Sequence, residues 1–180
     1  QPVAKLAGAA GKDPLDFMLD LALEEDLETV FNALLLNSDE EAVGRMLRDP
    51  NALVSLSDAG AHLTFFNDAG YGLHLLGHWV RRLRALTLEE AVRRLTSHPA
   101  SVFGIARRGR LAPGYHADLM LFDPARVDRG PKQRAFDLPG GHPRLTTAPV
   151  GVHGVWVNGK RIVADGKLLG ARPGKLLRDF

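Results

Sequence analysis

Between Phe31 and Asp58 the chain reads as strand, helix, strand with short links, and that order restricts the fold more than any other feature. Phe31-Asn32-Ala33-Leu34-Leu35-Leu36 is a mostly apolar run that stops at Asn37. Such a run suits a strand buried on both faces. Ser38 and Glu41 make a capping box, in which the two side chains satisfy free amides at a helix start. Ala42, Val43, Met46 and Leu47 follow at helical spacing, and Asp49-Pro50-Asn51 breaks the helix. From Leu53 to Ser57 apolar residues alternate with small polar ones, as in a short strand against a core. A βαβ unit of this kind sets its strands parallel. The expected fold class is therefore α/β.

The second of these strands stops on a carboxylate, Asp58, followed by Ala59-Gly60-Ala61-His62. Small residues there permit a close backbone turn. The C-terminal end of a parallel strand is where α/β folds place catalytic groups. An aspartate in that place also caps the next turn or helix. The residues alone leave both roles open.

Upstream, Asp13-Pro14 reads as a helix cap and first helical position, with Leu15, Met18, Leu19 and Ala22 as one buried stripe. Downstream of Asp58 a loop carries Phe65 and Phe66, and Tyr71 follows. These aromatics either line a pocket or wall off the end of the fold. Leu73, Leu76, Val80 and Leu83 recur helically. Thr87-Leu88-Glu89-Glu90 is a second capping box, with Leu88, Ala91, Val92 and Leu95 as the inner face. Ser97 to Ala100 starts a short helix that Gly104 can close.

From Gly109 the texture changes. Ala117 to Phe122 reads as a strand, residues 126–149 as mostly loop, and Val150 to Val157 as a strand. Asn158-Gly159 is a two-residue hairpin signal of type I′. Arg161-Ile162-Val163 returns, Asp165-Gly166 turns again, and Gly170 to Gly174 is a tail. The expected boundary lies near residue 107, giving regions 1–107 and 108–180.

Bulk composition narrows the function class. The 180 residues are 45% hydrophobic and 24% charged, with a formal net charge of +2, which is ordinary for a globular protein. The chain has no cysteine. Disulfides and thiolate metal sites are excluded, and the redox compartment stays open. No apolar run approaches a membrane span, so a membrane partner is not expected and the expected location is the cytoplasm. Arg81, Arg82, Arg84, Arg93 and Arg94, with Arg107, Arg108 and Arg110 beyond, form a basic cluster diluted by Glu89 and Glu90. No nucleic-acid-binding motif accompanies it, and a nucleic-acid partner is not expected.

Of the histidines, His74 and His78 stand four apart on a helix, which is metal-ligand spacing. With no third ligand nearby they read as helix-surface residues. His98 precedes a proline at a helix start and reads as a packing residue. His116, His142 and His153 carry no assigned role. Gly140-Gly141-His142-Pro143-Arg144 reads as an exposed loop.

Four stretches then occur in a telling order: SDAGAH, TLEEAVRRLTSHPASVFGI, RGRLAPGYHADLMLFDP and VWVNGKRIVADGKLLGARPGKLL. Together they resemble the N-acyl-D-amino-acid deacylases, or D-aminoacylases, of the amidohydrolase superfamily. The third stretch and the VNG hairpin mark the superfamily. The SDAGAH stretch and the GARPG tail point to the deacylases.

The resemblance implies a metal-dependent (β/α)8 barrel beside a small β-sandwich built from both chain ends. Residues 31–36 would be barrel strand seven, 53–57 strand eight, 73–103 the last barrel helices, and 109–170 the C-terminal strands of the sandwich. The first six strands, and the histidines that hold the metal, would lie upstream. Since the chain starts at Gln1 and not Met, it is expected to begin partway through a longer protein.

The implied reaction is hydrolysis of the amide bond of an N-acyl-D-amino acid, a small-molecule substrate, giving a carboxylic acid and a D-amino acid. The alternatives are another amidohydrolase acting on cyclic amides or as a deaminase, and a non-catalytic piece. The implied cofactor is Zn2+, which acidifies water and polarises the carbonyl. Asp58 matches the carboxylate that takes the water's proton and passes it to the amine; it is also the one metal ligand this chain would offer. His62 and Asn37 are candidate substrate contacts. His62 reads as a loop histidine at the pocket mouth in preference to a second metal ligand. The chain alone is expected to be inactive and to associate with the missing barrel segment or with another copy of itself.

Overall fold

The computed structural model describes residues 1–33, 36–54 and 56–178. The chain falls into two compact units, Gln1–Asp39 and Glu40–Phe180. The first holds α1 (Val3–Ala9) and α2 (Pro14–Glu24). Asp13 caps α2 as expected, its Oδ1 accepting the Leu15 amide at 2.8 Å, with Pro14 in the first turn. The expected stripe differs: Met18 and Ala22 are half-buried, while Leu15 and Leu19 are exposed. Two short helices offer too little surface to cover a full apolar face.

The second unit opens with α3 (Glu40–Arg48), continues after a long loop with α4 (Tyr71–His74) and the π-helix Leu75–Arg82, and closes its helical part with α5 (Leu88–Leu95) and α6 (Ser97–Val102). The Thr87 hydroxyl accepts the Glu90 amide at 3.2 Å, the first half of the expected capping box. The Glu90 side chain does not reach back. It turns to Arg93 and Arg94 instead.

Leu75, Leu76, Trp79, Leu86, Ala91 and Val127 form the buried core, flanked by Val43, Leu47, Val54 and Phe122 among others. The expected face of Leu73, Leu76, Val80 and Leu83 is displaced: Leu75 and Trp79 are buried, and Leu83 is exposed. The wider π-turn moves the inward positions out of 3.6-residue register. His74 and His78, read as surface residues, are half-buried.

The expected strands at 31–36 and 53–57 are absent from the described residues. Residues 31–33, 36, 53, 54, 56 and 57 have no regular structure, while Leu34, Leu35 and Ser55 lie outside the described residues. A strand exists only as part of a ladder. The described residues supply neither segment with a paired neighbour.

The remainder is antiparallel. A four-stranded sheet runs in the order β1 (Leu119–Phe122), β4 (Val152–Val157), β5 (Lys160–Ala164), β6 (Lys167–Leu168). A separate hairpin pairs β2 (Asp128–Ala135) with β3 (Arg144–Val150). This hairpin corrects the reading of 126–149 as mostly loop. Its proline and glycine content is absorbed by a register shift between Arg129 and Lys132, a bulge that spares the ladder from Pro131. Asn158 and Gly159 take φ of 48° and 76°, as a type I′ turn requires. Asp165 and Gly166 do the same at φ of 46° and 78°.

Candidate functional site

Asp58 stands immediately before a run of turns, residues 59–65. Its main-chain oxygen accepts the Ala61 amide at 3.0 Å, and the Ser57 hydroxyl accepts the Ala59 amide at 3.2 Å. Gly60 takes φ of 97°, which suits glycine at this reversal. The Asp58 carboxylate is exposed and pairs with no side chain among the described residues.

His62 closes the same turn at φ of 48° and is also exposed. Its ring stacks on Phe65, centroids 5.0 Å apart. Phe65 is therefore engaged by His62 while remaining 69% exposed. Asn37 is exposed at φ of 54° and belongs to the other unit, Gln1–Asp39. The structure thus brings Asp58 and His62 into one loop and leaves Asn37 in a different body.

Contacts hold the chain at Leu63, within the loop, and at residues 48–52, before it. Downstream, the Leu63 main-chain oxygen accepts the Leu145 amide of β3 at 2.8 Å. The hairpin that the sequence reading missed is thus the strut of the Asp58 loop. Upstream, the buried guanidinium of Arg94 binds main-chain oxygens of Arg48, Asp49 and Ala52 at 3.0, 2.9 and 3.2 Å. Its Nε donates to Glu90 at 2.8 Å. In the sequence Arg94 belongs to the basic cluster diluted by Glu89 and Glu90, and in the structure it is buried. The signal for that burial was its place three residues after Ala91, on the inner face of α5.

Glu90 also takes two hydrogen bonds from Arg93, at 2.7 and 2.8 Å. The Arg93 hydrogen bond, and after it that of Arg94, hold its carboxyl down at about 2 against the pull of desolvation.

A second group of titratable residues lies on the π-helix. His74 and His78 stack with centroids 4.7 Å apart, and His78 Nε2 is 2.7 Å from Glu40 Oε1. Burial holds the His74 imidazole below its ordinary range, helped by His78 and Arg129 and opposed by Asp128. Arg81 and Arg82 both bind Asp128. Desolvation would raise the Asp128 carboxyl, but the Arg82 hydrogen bond, the Arg129 amide and both guanidinium charges lower it.

Among the described residues no group of three or more His, Asp or Glu side chains is placed to hold a metal ion. An apolar cleft of about 520 Å3 lies between α5 and β1, lined by Val92, Leu95, Met120, Phe122 and Trp156 among others. It shares no residue with the Asp58 loop. No helix among the described residues is long and apolar enough to cross a membrane.

With this geometry in hand, comparison with known proteins is decisive. Residues 2–163 match the amidohydrolase family. The chain belongs to that family. It is 34% identical over 176 residues to the N-acyl-D-aspartate deacylase of Alcaligenes xylosoxydans xylosoxydans, covering 94% of this chain and 33% of that enzyme. The solved N-acyl-D-glutamate deacylase of Bordetella bronchiseptica, bound to zinc and a phosphonate mimic of the tetrahedral intermediate, superposes with a TM-score of 0.54 and 28% identity. That match covers 98% of this chain and 34% of the other. A solved D-aminoacylase gives a TM-score of 0.52 at 27% identity, over 94% of this chain and 32% of that one. The amidohydrolase chain therefore has the α/β fold of its D-aminoacylase neighbours and spans about one third of their length.

Proposed function

We propose that this amidohydrolase chain is the part of an N-acyl-D-amino-acid deacylase that carries its proton-transfer carboxylate, Asp58. The observation that supports this most is the likeness to the N-acyl-D-aspartate deacylase over 94% of the chain. That extent favours amide hydrolysis over the cyclic-amide and deaminase readings.

In the proposed reaction water attacks the acyl carbon. An Asp58 oxygen receives the water's proton and returns it to the departing nitrogen, so an amine and not an amide anion leaves. The products are a carboxylic acid and a D-amino acid. His62, on the same turn, is proposed to face the substrate. Asn37 is proposed as a further contact in the complete enzyme.

Zinc is the proposed cofactor, because the solved N-acyl-D-glutamate deacylase carries it. The described residues of this chain do not form a metal site by themselves. In this reading most ligands come from the remaining two thirds of the enzyme, with Asp58 offering at most one.

The test is a turnover measurement on the complete polypeptide with N-acyl-D-aspartate, N-acyl-D-glutamate and N-acetyl-D-leucine. Asp58→Asn is expected to lower kcat at least about a hundredfold with zinc content little changed. Near-normal turnover would remove Asp58 from the mechanism.

A further inference from the structure

The Arg94 guanidinium is the largest fully buried side chain in the chain's described part, at 1% exposure. A buried cation is retained only when its donors are matched, since desolvation of a charge is costly. Here the matching is specific. One carboxylate, Glu90, lies one turn back on α5. The other acceptors are three main-chain oxygens from a single short stretch, Arg48, Asp49 and Ala52.

Those oxygens belong to the C-terminal end of α3 and the turn after it. Helix ends leave carbonyls without intrahelical partners and carry partial negative charge. A planar guanidinium with several fixed donors can take three such oxygens at once; a lysine ammonium could not match the same fan. Ala52 is six positions before Asp58. The far side of the loop is tied separately, by the Leu145 amide on the Leu63 oxygen at 2.8 Å.

We infer that Arg94 is a positioning residue: it fixes where the chain leaves α3 and so fixes the placement of the Asp58 carboxylate. This rests on the reading of Asp58 as the proton acceptor. With the Ala52 oxygen held at one end and the Leu63 oxygen at the other, the stretch that carries Asp58 is anchored twice, and loss of the Arg94 anchor frees one of its ends. A misplacement of about 1 Å at a reacting group costs on the order of a hundredfold in rate.

The experiment has two arms. The first uses the complete polypeptide carrying Arg94→Met or Arg94→Lys, with Asp118→Ala as a control that weakens the sheet region away from the loop. Arg94→Met is expected to lower kcat for N-acyl-D-aspartate by about tenfold to a hundredfold, with KM and zinc content near wild type. Arg94→Lys should recover part of that loss. In an Asp58→Asn background Arg94→Met should lower kcat little further, because both changes disable one step. A loss of melting temperature with kcat unchanged, or full additivity with Asp58→Asn, overturns the inference.

The second arm measures hydrogen exchange on this chain itself. In Arg94→Met the amides of Ala59, Ala61 and Leu145, which are bonded to Ser57, Asp58 and Leu63, should exchange faster while those of β4 and β5 keep their rates. Uniform acceleration, or none, overturns it. If Arg94→Met does not fold, Arg94→Lys carries the same readouts. If the wild-type enzyme hydrolyses no N-acyl-D-amino acid, the functional reading fails, and the exchange arm alone decides whether Arg94 holds the loop.

Discussion

Gly159 shows what a single residue can be required for. A Cβ added there would meet only the Ala117 Cβ, at 3.9 Å, so space is not the constraint. The constraint is φ of 76°, a region that a β-branched side chain resists. Gly159→Val is expected to cost about 1–3 kcal/mol, read as a lower melting temperature with no specific effect on catalysis. Gly77 is the opposite case. Its backbone is ordinary, but an added Cβ would lie 2.5 Å from the Asp128 Cγ. There the Asp128 carboxylate, held by Arg81 and Arg82, would have to move to admit a side chain. Sequence reasoning found Gly159, because Asn-Gly between alternating strands has a mechanism attached. It could not find Gly77, since what it touches lies far away along the chain, and for Arg94 the spacing from Ala91 signals an inward place but not the partners it binds. Asp58 and His62 were legible as one loop because they are close in sequence. The carbonyl cradle that Arg94 grips was not.

At the scale of elements, the stretch RGRLAPGYHADLMLFDP has a physical account in Asp118. Its carboxylate accepts from Arg108, in the stretch before β1, and from the Asn158 amide at the hairpin turn. Arg108 also donates to Asn158 Oδ1 at 3.0 Å, and Asn158 Nδ2 donates to the Pro173 oxygen at 2.9 Å. Thus the ADL stretch, the NG turn and the RPG tail are one hydrogen-bonded knot. Asp118→Ala strands two donors and is expected to cost about 1–2 kcal/mol, measured by urea unfolding; Asp118→Asn should cost less. The elements legible in the sequence were those with local signals: the Asp13 cap, the Thr87 cap and the two αL turns. The β2–β3 hairpin was hidden because its residues are charged, and its bulge at Gly130-Pro131 looks like a breaker until a partner strand is seen. The described residues of 31–36 and 53–57 form no strand, for the reverse reason. Their local pattern is apolar, but a ladder is a property of neighbours.

At the scale of the whole molecule, acid should act in two stages. Burial keeps the His74 imidazole below its ordinary range. A group whose folded pKa is depressed contributes stability above its unfolded value that is lost as pH falls through the folded one. For His74 that loss begins below about 6.5. Glu90, held at about 2, and Asp118, Asp128 and Asp137, all below the usual carboxylate range, lose theirs at more acid pH. His74→Gln should flatten the first stage and leave the second, as read from unfolding midpoints between neutral and strongly acid pH.

The distribution of apolar surface sets the last expectation. Leu15, Leu19, Leu23, Leu27 and Val30 are 58%, 51%, 68%, 72% and 80% exposed within the unit Gln1–Asp39. Exposed apolar area on this scale marks a surface that meets another. A hydrolytic site of the proposed type also needs a full set of metal ligands, and the described residues do not assemble one. The purified chain with added zinc is therefore expected to release no acetate from N-acetyl-D-amino acids, and to elute above its monomer mass of 19.6 kDa. Leu19→Glu with Leu23→Glu should return it toward monomer without restoring activity. A monodisperse wild-type monomer that binds zinc tightly and turns over substrate would show that the ligands, and the surface that covers the apolar face, are already within this chain.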